Sequence, residues 1–145
     1  MADKSLIGRS MGVTHVEVEK GRLRFFAKAI GETDPIYTDE AAAKAAGYTS
    51  LPVPATFLFC LQGEGRDLVE QLNVYGFDLG RILHAEQSFV YHKPAVAGDV
   101  LTFDSRVADV YEKKGGALQF VVNETRVTNQ HGDHVADIRG TLVQR

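Results

Sequence analysis

The sequence predicts an α+β fold in which an antiparallel sheet curls around one buried helix. The first half is patterned mainly with the period of a helix, and near residue 80 the pattern changes to the two-residue period of strands. Before that change, residues 53–61 are apolar on every side, which is typical of a buried helix. Because a single sheet has an apolar face to cover, we expect this helix to lie against it.

Length and composition predict one globular domain spanning residues 1–145. The chain is 44% hydrophobic and 24% charged, close to the roughly 45–50% and 25% that are usual in globular proteins. A chain of this size is expected to build one hydrophobic core. The composition excludes disordered, collagen-like and coiled-coil classes.

Charge and hydropathy narrow the partners that the protein could bind. The chain has 16 Lys and Arg against 19 Asp and Glu, a net charge of −3, and no stretch concentrates the basic residues, so no nucleic-acid partner is expected. The longest apolar run, residues 51–61, is shorter than the ~20 residues that span a membrane. Residues 1–5 do not have the pattern of a signal sequence. We therefore expect no membrane partner and a cytoplasmic location.

Cysteine and histidine usage predicts no metal and no cofactor. Cys60 is the single cysteine, which excludes an internal disulfide and a cysteine-based zinc site. Its apolar surroundings predict a buried, unreactive thiol. No pair among the five histidines has the helical spacing seen in zinc enzymes.

A short strand and two helices are predicted before the apolar segment. Alternation predicts a strand over residues 13–18, and apolar residues at helical spacing predict a helix over residues 22–30 that ends at Gly31. Residues 38–40 supply a cap and an acidic first turn for an alanine-rich helix over residues 41–46.

Two glycines that follow the apolar helix are expected to break or kink it. Gly63 and Gly65 follow residues 53–61, and each interior glycine costs about 1 kcal/mol relative to alanine. An amphipathic helical pattern resumes at Leu68.

Four strands are predicted in the second half. Glycine-containing turns at residues 114–116 and 131–133 stand where tight reversals are needed, so consecutive strands are expected to pair as an antiparallel meander. The predicted strands are residues 82–92, 100–111, 118–128 and 135–143.

The first of these strands alternates in a way that assigns its side chains to two faces. His84 and Glu86 stand two residues apart on the more polar face and should point the same way, as a possible proton-handling pair. A solvated strand face or a contact in a dimer explains the same two residues equally well. Leu83, Ala85, Phe89 and Tyr91 are assigned to the opposite, apolar face, and Ser88 and His92 to the face of His84.

Four local segments resemble one protein family. Residues 26–37 read FAKAIGETDPIY, residues 84–94 read HAEQSFVYHKP, residues 96–101 read VAGDVL, and residues 54–57 read PATF. Over residues 10–143 the chain resembles MaoC-like dehydratases and (R)-specific enoyl-CoA hydratases, and in particular the N-terminal MaoC-like domain, also described as a fatty-acid-synthase-type dehydratase domain. The resemblance implies the hot-dog fold, which agrees with the order of elements above.

The resemblance also implies an activity and a set of site residues. The family adds water reversibly to a trans-2-enoyl thioester, with an acyl-CoA or acyl-carrier-protein substrate, using a carboxylate and an imidazole that exchange protons with the water. The family's catalytic Asp aligns with Glu32, its Asn with Asp34 and its catalytic His with Tyr37. These three are the candidate catalytic residues. Because the dyad is not reproduced, the chain could bind a thioester without hydrating it.

Residues 54–57 and the first long strand supply the candidate substrate-binding residues. A helix beginning at Pro54 would present unpaired amides to a thioester carbonyl as negative charge develops on it. The candidates are Ala55, Thr56, Phe57, His84 and Glu86. The alternative is that proline and threonine simply begin a helix, and that residues 31–37 are a helix stop and a turn.

Three functions stay open at this point. The first is an acyl-thioester hydratase or dehydratase. The second is a non-catalytic acyl-binding subunit that pairs with a catalytic hot-dog partner, which the changes at Glu32 and Tyr37 favour. The third is a thioesterase, which other hot-dog proteins are. A homodimer or a heterodimer with a related subunit is expected, because two such sheets typically join edge to edge.

Overall fold

The structure, a computed structural model, describes residues 3–145 and confirms the α+β prediction. Along the chain one strand is followed by four helices and then by four more strands, with short 3-10 turns between some of them. The helices are α1 (Lys20–Ala29), α2 (Glu40–Ala45), α3 (Phe57–Glu64) and α4 (Leu68–Tyr75). The strands are β1 (Ser10–Glu17), β2 (Ile82–Tyr91), β3 (Val100–Lys113), β4 (Leu118–Thr128) and β5 (His134–Gln144).

The sheet is fully antiparallel, with the strand order β1-β3-β4-β5-β2. Strands β3, β4 and β5 form a meander, but β2 pairs with β5, so the prediction that all four strands pair in sequence was wrong. The reason lies in residues 92–99, which do not make a tight turn. Their backbone bonds to an earlier part of the chain instead, through Ala97 N to Leu51 O and Gly98 N to Val18 O, both 2.8 Å. The chain thereby crosses to the other side of the sheet, where β3 lies between β1 and β4.

Helix α3 lies inside the curl of the sheet, as expected. Leu58 and Leu61 are fully buried there, and the Phe57 ring packs on Phe26 at 4.6 Å between centroids. The main core joins α3 to α1 and to the concave face of the sheet. Its largest fully buried members are Phe103, Leu23, Leu51, Leu58, Leu61, Leu101, Val18, Val127 and Val135.

Two expectations about α3 were wrong. The helix begins at Phe57 rather than near residue 53, because Thr56 takes a left-handed conformation with φ of 72° and makes no side-chain cap bond. The helix is also not buried on every side: Phe59 is 46% exposed, and Cys60 is exposed rather than a core thiol. Both side chains lie on the face of α3 that borders a cavity described below.

Helix α3 runs through Gly63 and ends at Gly65, where close packing explains the glycine. A Cβ on Gly65 would lie 2.7 Å from the Cβ of Thr14 in β1, so a larger residue would push the helix end away from the strand. After this stop, Asp67 caps α4 by accepting bonds from the Val69 and Glu70 amides. The segment between the end of α3 and the start of α4 therefore lies against the edge strand β1.

The two edge strands of the sheet differ in length, with eight residues in β1 and ten in β2. Both are interrupted by a bulge, which lies between Ser10 and Val13 in β1 and between His84 and Glu86 in β2. Edge strand β2 is ten residues long and exposes apolar side chains, with Leu83 at 48% and Val90 at 57% exposure. Within residues 3–145 no helix has the length and apolar character needed to cross a membrane.

Candidate functional site

Residues 31–37, here called the acidic turn, follow the end of α1. One oxygen of Glu32 accepts bonds from the amides of Thr33 (2.8 Å) and Asp34 (2.9 Å). Asp34 in turn accepts a bond from the Ile36 amide at 3.1 Å and caps the short 3-10 helix Pro35–Tyr37. One oxygen of each candidate catalytic carboxylate is therefore bonded to backbone amides of its own turn, as is common for acidic side chains in turns and before a helix.

Tyr37 stands at the position where the resemblance expects histidine, and it is held in its neutral form. Burial raises the pKa of its hydroxyl above the ordinary value, and the negative charges of Glu32 and Asp34 and the neighbouring Tyr48 raise it further. A phenol whose ordinary pKa is already about 10 is a poor base at neutral pH. Tyr37 is consequently a hydrogen-bond donor, not a proton acceptor.

A cavity of about 300 Å³, here called the Tyr37 cavity, lies between the acidic turn and the end of β2. Tyr37, Ala55, Tyr91 and His92 are among its lining residues. The amide of Thr56 donates to the Tyr91 hydroxyl at 2.9 Å, and the amide of Phe57 donates to the Pro54 carbonyl at 3.1 Å. Two of the amides expected to receive a thioester oxygen therefore already have acceptors within the chain. Of the site residues predicted from the sequence, Tyr37 and Ala55 line this cavity.

A bulge in β2 separates the predicted pair His84 and Glu86. His84 is opposite Leu142 of β5 and Glu86 is opposite Thr141, with Ala85 left over between them. Because Leu142 and Thr141 are consecutive, their side chains point to opposite faces, and so do those of His84 and Glu86. The expectation that they point the same way was wrong, because an extra residue reverses the alternation.

The bulge sets both the tautomer of His84 and the orientation of Gln87. His84 Nε2 lies 3.0 Å from the Glu86 carbonyl oxygen and 3.1 Å from the Gln87 side-chain amide. Since a backbone carbonyl only accepts, Nε2 must carry the hydrogen, and the Gln87 atom that faces it must be the oxygen. The imidazole also stacks on Phe59 of α3, with centroids 5.2 Å apart.

His84 stands at the entrance of a larger cavity of about 490 Å³, here called the β2 cavity, between helices α3 and α4 and the concave face of β2, β4 and β5. Its exposed lining residues include Phe59, Cys60 and His84, and its buried ones include Ile138. The volume falls within the ~300–1,000 Å³ usual for small-molecule pockets. Of the residues predicted from the sequence, this cavity contains His84 but neither Glu86 nor any residue of the acidic turn.

Most polar groups at the bottom of the β2 cavity are bonded to one another. Gln62 donates to Thr125 at 2.7 Å, and Tyr75 donates to Asn123 at 2.8 Å while accepting from Gln71. These contacts hold α3 and α4 to strand β4. The bottom of the cavity is therefore polar and internally satisfied, although its walls are largely apolar.

Three N–H groups of the residues around this cavity lack an acceptor within residues 3–145. They are Nε and Nη2 of Arg66 and Nε2 of Gln87, all shielded from solvent. Burial lowers the pKa of the Arg66 guanidinium, against a smaller opposing influence of Tyr75 and Asp104. Arg66 also borders a second crevice of about 340 Å³ beneath β1. The break between helices α3 and α4 thus places a cation, two of whose nitrogens have no hydrogen-bond acceptor in the described part of the chain, between the two cavities.

The structure also brings together three residues that the sequence did not connect. His92 follows β2, while His134 and Asp137 belong to β5, and both imidazoles contact the Asp137 carboxylate. His134 is the first residue of β5, and only the pairing of β2 with β5 places it beside His92. No spacing along the chain signals this cluster, because its members come together across two strands.

Comparisons with known proteins agree with this architecture. The model of the family "FAS1-like, dehydratase domain region" matches residues 5–138. A UPF0336 protein of Streptomyces avermitilis is 37% identical over 144 residues, spanning 99% of this chain and 95% of the relative. A UPF0336 protein of Saccharopolyspora erythraea is 35% identical over 144 residues, 99% of this chain and 91% of the relative.

A solved structure of similar fold is the C-terminally truncated HadBC complex of Mycobacterium tuberculosis, a 3R-hydroxyacyl-ACP dehydratase. It matches with a TM-score of 0.77 and 29% identity over 93% of this chain and 96% of that chain. A protein described as a MaoC-like dehydratase matches with a TM-score of 0.83 and 25% identity, over 97% of this chain but 42% of its own length. The hot-dog fold expected from the sequence is thereby confirmed.

Proposed function

Since the chain belongs to the FAS1-like dehydratase-domain family, we propose that it is the acyl-binding subunit of a (3R)-hydroxyacyl thioester dehydratase, with the acid and base supplied by a related hot-dog partner. The observation that carries this proposal is the acidic turn. Glu32 and Asp34 are bonded to the amides of that turn, and Tyr37 is held neutral. General acid–base catalysis contributes about 10²–10⁴-fold when the proton-transferring group has a pKa near the working pH, whereas burial, Glu32, Tyr48 and Asp34 raise the pKa of Tyr37 above its ordinary value.

The β2 cavity is where we place the acyl chain. It is larger than the Tyr37 cavity, its walls are mostly apolar, and exposed Phe59 and Cys60 stand at its entrance. A thioester is uncharged and its acyl chain is apolar, so burial against such walls would supply the binding free energy, at about 25 cal/mol for each Å² of apolar surface covered. An acyl-CoA and an acyl-carrier-protein substrate are equally compatible with this placement.

Edge strand β2 is the proposed contact with the partner subunit. An unpaired, exposed strand edge favours addition of another strand, and the apolar side chains of Leu83 and Val90 on this edge are about half exposed. The matched HadBC structure is a complex of a dehydratase. A dimer formed through β2 would bring a partner's catalytic groups near the entrance of the β2 cavity.

Labelling of Cys60 tests where the acyl chain binds. The thiol borders the β2 cavity and is the single cysteine of the chain, so decanoyl-CoA should slow its reaction with N-ethylmaleimide several-fold, while free CoA should not. The matched control is Cys60→Ser/Thr33→Cys, which moves the thiol to the exposed acidic turn, where decanoyl-CoA should leave labelling unchanged. Equal protection at both positions, or none at either, contradicts the placement.

Product analysis with crotonyl-CoA separates the three functions. The proposal expects the purified chain to leave both the enoyl absorbance and the thioester intact, and hydration to arise when the chain is co-expressed with a hot-dog subunit of the same genome that carries the family Asp and His. Loss of enoyl absorbance by the chain alone would make it a hydratase in its own right. Release of free thiol would make it a thioesterase.

A further inference from the structure

Two imidazoles and a carboxylate form a compact cluster at the end of the β2/β5 pair. His92 Nε2 lies 2.8 Å from one oxygen of Asp137, and His134 Nε2 lies 2.9 Å from the other. The two rings are stacked with centroids 4.1 Å apart. One ligand atom from each residue lies within 4.8 Å of the other two.

The backbone fixes the positions of these side chains. Strand β5 supplies both His134 and Asp137, and the amide of His92 donates to the Val135 carbonyl at 2.9 Å, which ties the residue after β2 to the beginning of β5. The side chains are partly open to solvent, at 39% for His92, 26% for His134 and 47% for Asp137. An ion can therefore reach them, and water can complete its coordination.

We propose that His92, His134 and Asp137 bind a divalent transition metal ion, with Zn²⁺ preferred. Imidazole nitrogen and carboxylate oxygen are both zinc ligands, with bonds of roughly 2.0–2.2 Å, so neighbouring ligand atoms around a tetrahedral ion stand roughly 3.3 Å apart. The two imidazole nitrogens lie 2.8 and 2.9 Å from the two Asp137 oxygens, and the three ligand atoms lie within 4.8 Å of one another, so small side-chain shifts are needed to bring them to these separations. Two nitrogen ligands favour zinc over magnesium and calcium, which prefer oxygen.

The charges around the cluster bear on its affinity. Burial raises the pKa of Asp137, but hydrogen bonds from His92 and His134 outweigh it, and the net pKa is lowered, so this ligand is ionised at neutral pH. Lys93 is engaged with Asp133. Arg126 stands opposite Asp137 on β4, and its positive charge weakens cation binding. With three protein ligands and a nearby arginine, a micromolar dissociation constant is expected rather than a nanomolar one.

Zinc titration of the purified full chain by calorimetry tests the site. We expect one Zn²⁺ per chain, and at least a ten-fold loss of affinity in each of His92→Ala, His134→Ala and Asp137→Asn. His131→Ala is the matched control, because this histidine lies in the β4–β5 turn just before His134 but outside the cluster, and this variant should bind zinc like the original chain.

Thermal melting keeps the test valid if a variant folds poorly. Zinc should raise the melting temperature of the original chain and of His131→Ala, and EDTA should reverse the rise, while the three cluster variants should show no rise. Absence of binding at 100-fold molar excess of zinc would overturn the proposal. So would equal loss of affinity in His131→Ala, or binding that persists in all three cluster variants.

Discussion

The acidic turn and the β2 cavity both contain polar side chains, but those of the turn have hydrogen-bond partners close by in the chain and some of those around the cavity have none within residues 3–145. In the turn, Glu32 and Asp34 bond to amides within two residues of themselves. Around the cavity, Arg66 and Gln87 keep N–H groups without an acceptor, although they come from distant parts of the chain. The difference shows that residues aligned with a catalytic motif can form hydrogen bonds within their own turn, whereas a cavity is created by packing between distant parts of the chain.

The largest effect is expected from truncating a buried side chain of α3, the helix that lines both the β2 cavity and the Tyr37 cavity. Leu61 of α3 is fully buried in the main core, and large-to-small changes at such sites cost about 2–5 kcal/mol. Leu61→Ala should lower the free energy of unfolding by that amount in urea titrations. His131→Ala, on an exposed turn, should change it by less than ~0.5 kcal/mol. Similar losses in both variants would mean that α3 is not the centre of the core.

The next largest effect is on acyl-CoA affinity, and it distinguishes the β2 cavity from the Tyr37 cavity as the place where the acyl chain binds. Cys60→Trp should narrow the β2 cavity at its exposed entrance and weaken decanoyl-CoA binding ten-fold or more, which corresponds to about 1.4 kcal/mol. Tyr37→Phe should change this affinity less than two-fold, because the Tyr37 hydroxyl lies in the other cavity. Cys60→Ser controls for loss of the thiol. The reverse result, with Tyr37→Phe the weaker binder, would move the acyl chain to the Tyr37 cavity.

The sequence predicted the helices and strands whose positions depend on local patterns of residues. The helical period located α1 and α2, and Asp39 caps α2 as its position before an acidic first turn indicates. Alternation located the strands of the second half closely. These features depend on residues a few positions apart, so a single sequence contains the information for them.

The β2 cavity could not be predicted because three long-range events create it. Residues 92–99 cross to the other side of the sheet, where β3 pairs with β1 and β4, and β2 pairs with β5 instead. The bulge at Ala85 turns His84 inward, although the sequence reads as unbroken alternation. The left-handed Thr56 delays α3 and rotates Cys60 out of the core. None of these events leaves a periodic signal.

A gain in stability is expected where the cavity holds an unpaired cation. Shielded donors without partners cost about 1–3 kcal/mol each, so Arg66→Met, which keeps most of the side-chain volume, should raise the free energy of unfolding by about 1 kcal/mol. Arg126→Met is the matched control on an exposed part of the sheet, where little change is expected. A lower stability of Arg66→Met would show that the guanidinium has a partner in solution.

The smallest effect concerns the pH dependence of stability that Tyr37 adds. Burial first, and then Glu32, Tyr48 and Asp34, raise its pKa in the folded state above the ordinary value of about 10. The neutral phenol is therefore favoured by folding, and this contribution is fully present below pH ~10 and is lost as the pH rises through the higher folded-state pKa. Tyr37→Phe cannot ionise, so its unfolding free energy should lose less between pH 8 and pH 11 than that of the original chain. Tyr75, whose pKa burial also raises, is common to both proteins and cancels in the difference. Parallel pH profiles would mean that Tyr37 ionises as it does in water, and the argument that it is held neutral in the acidic turn would then be lost.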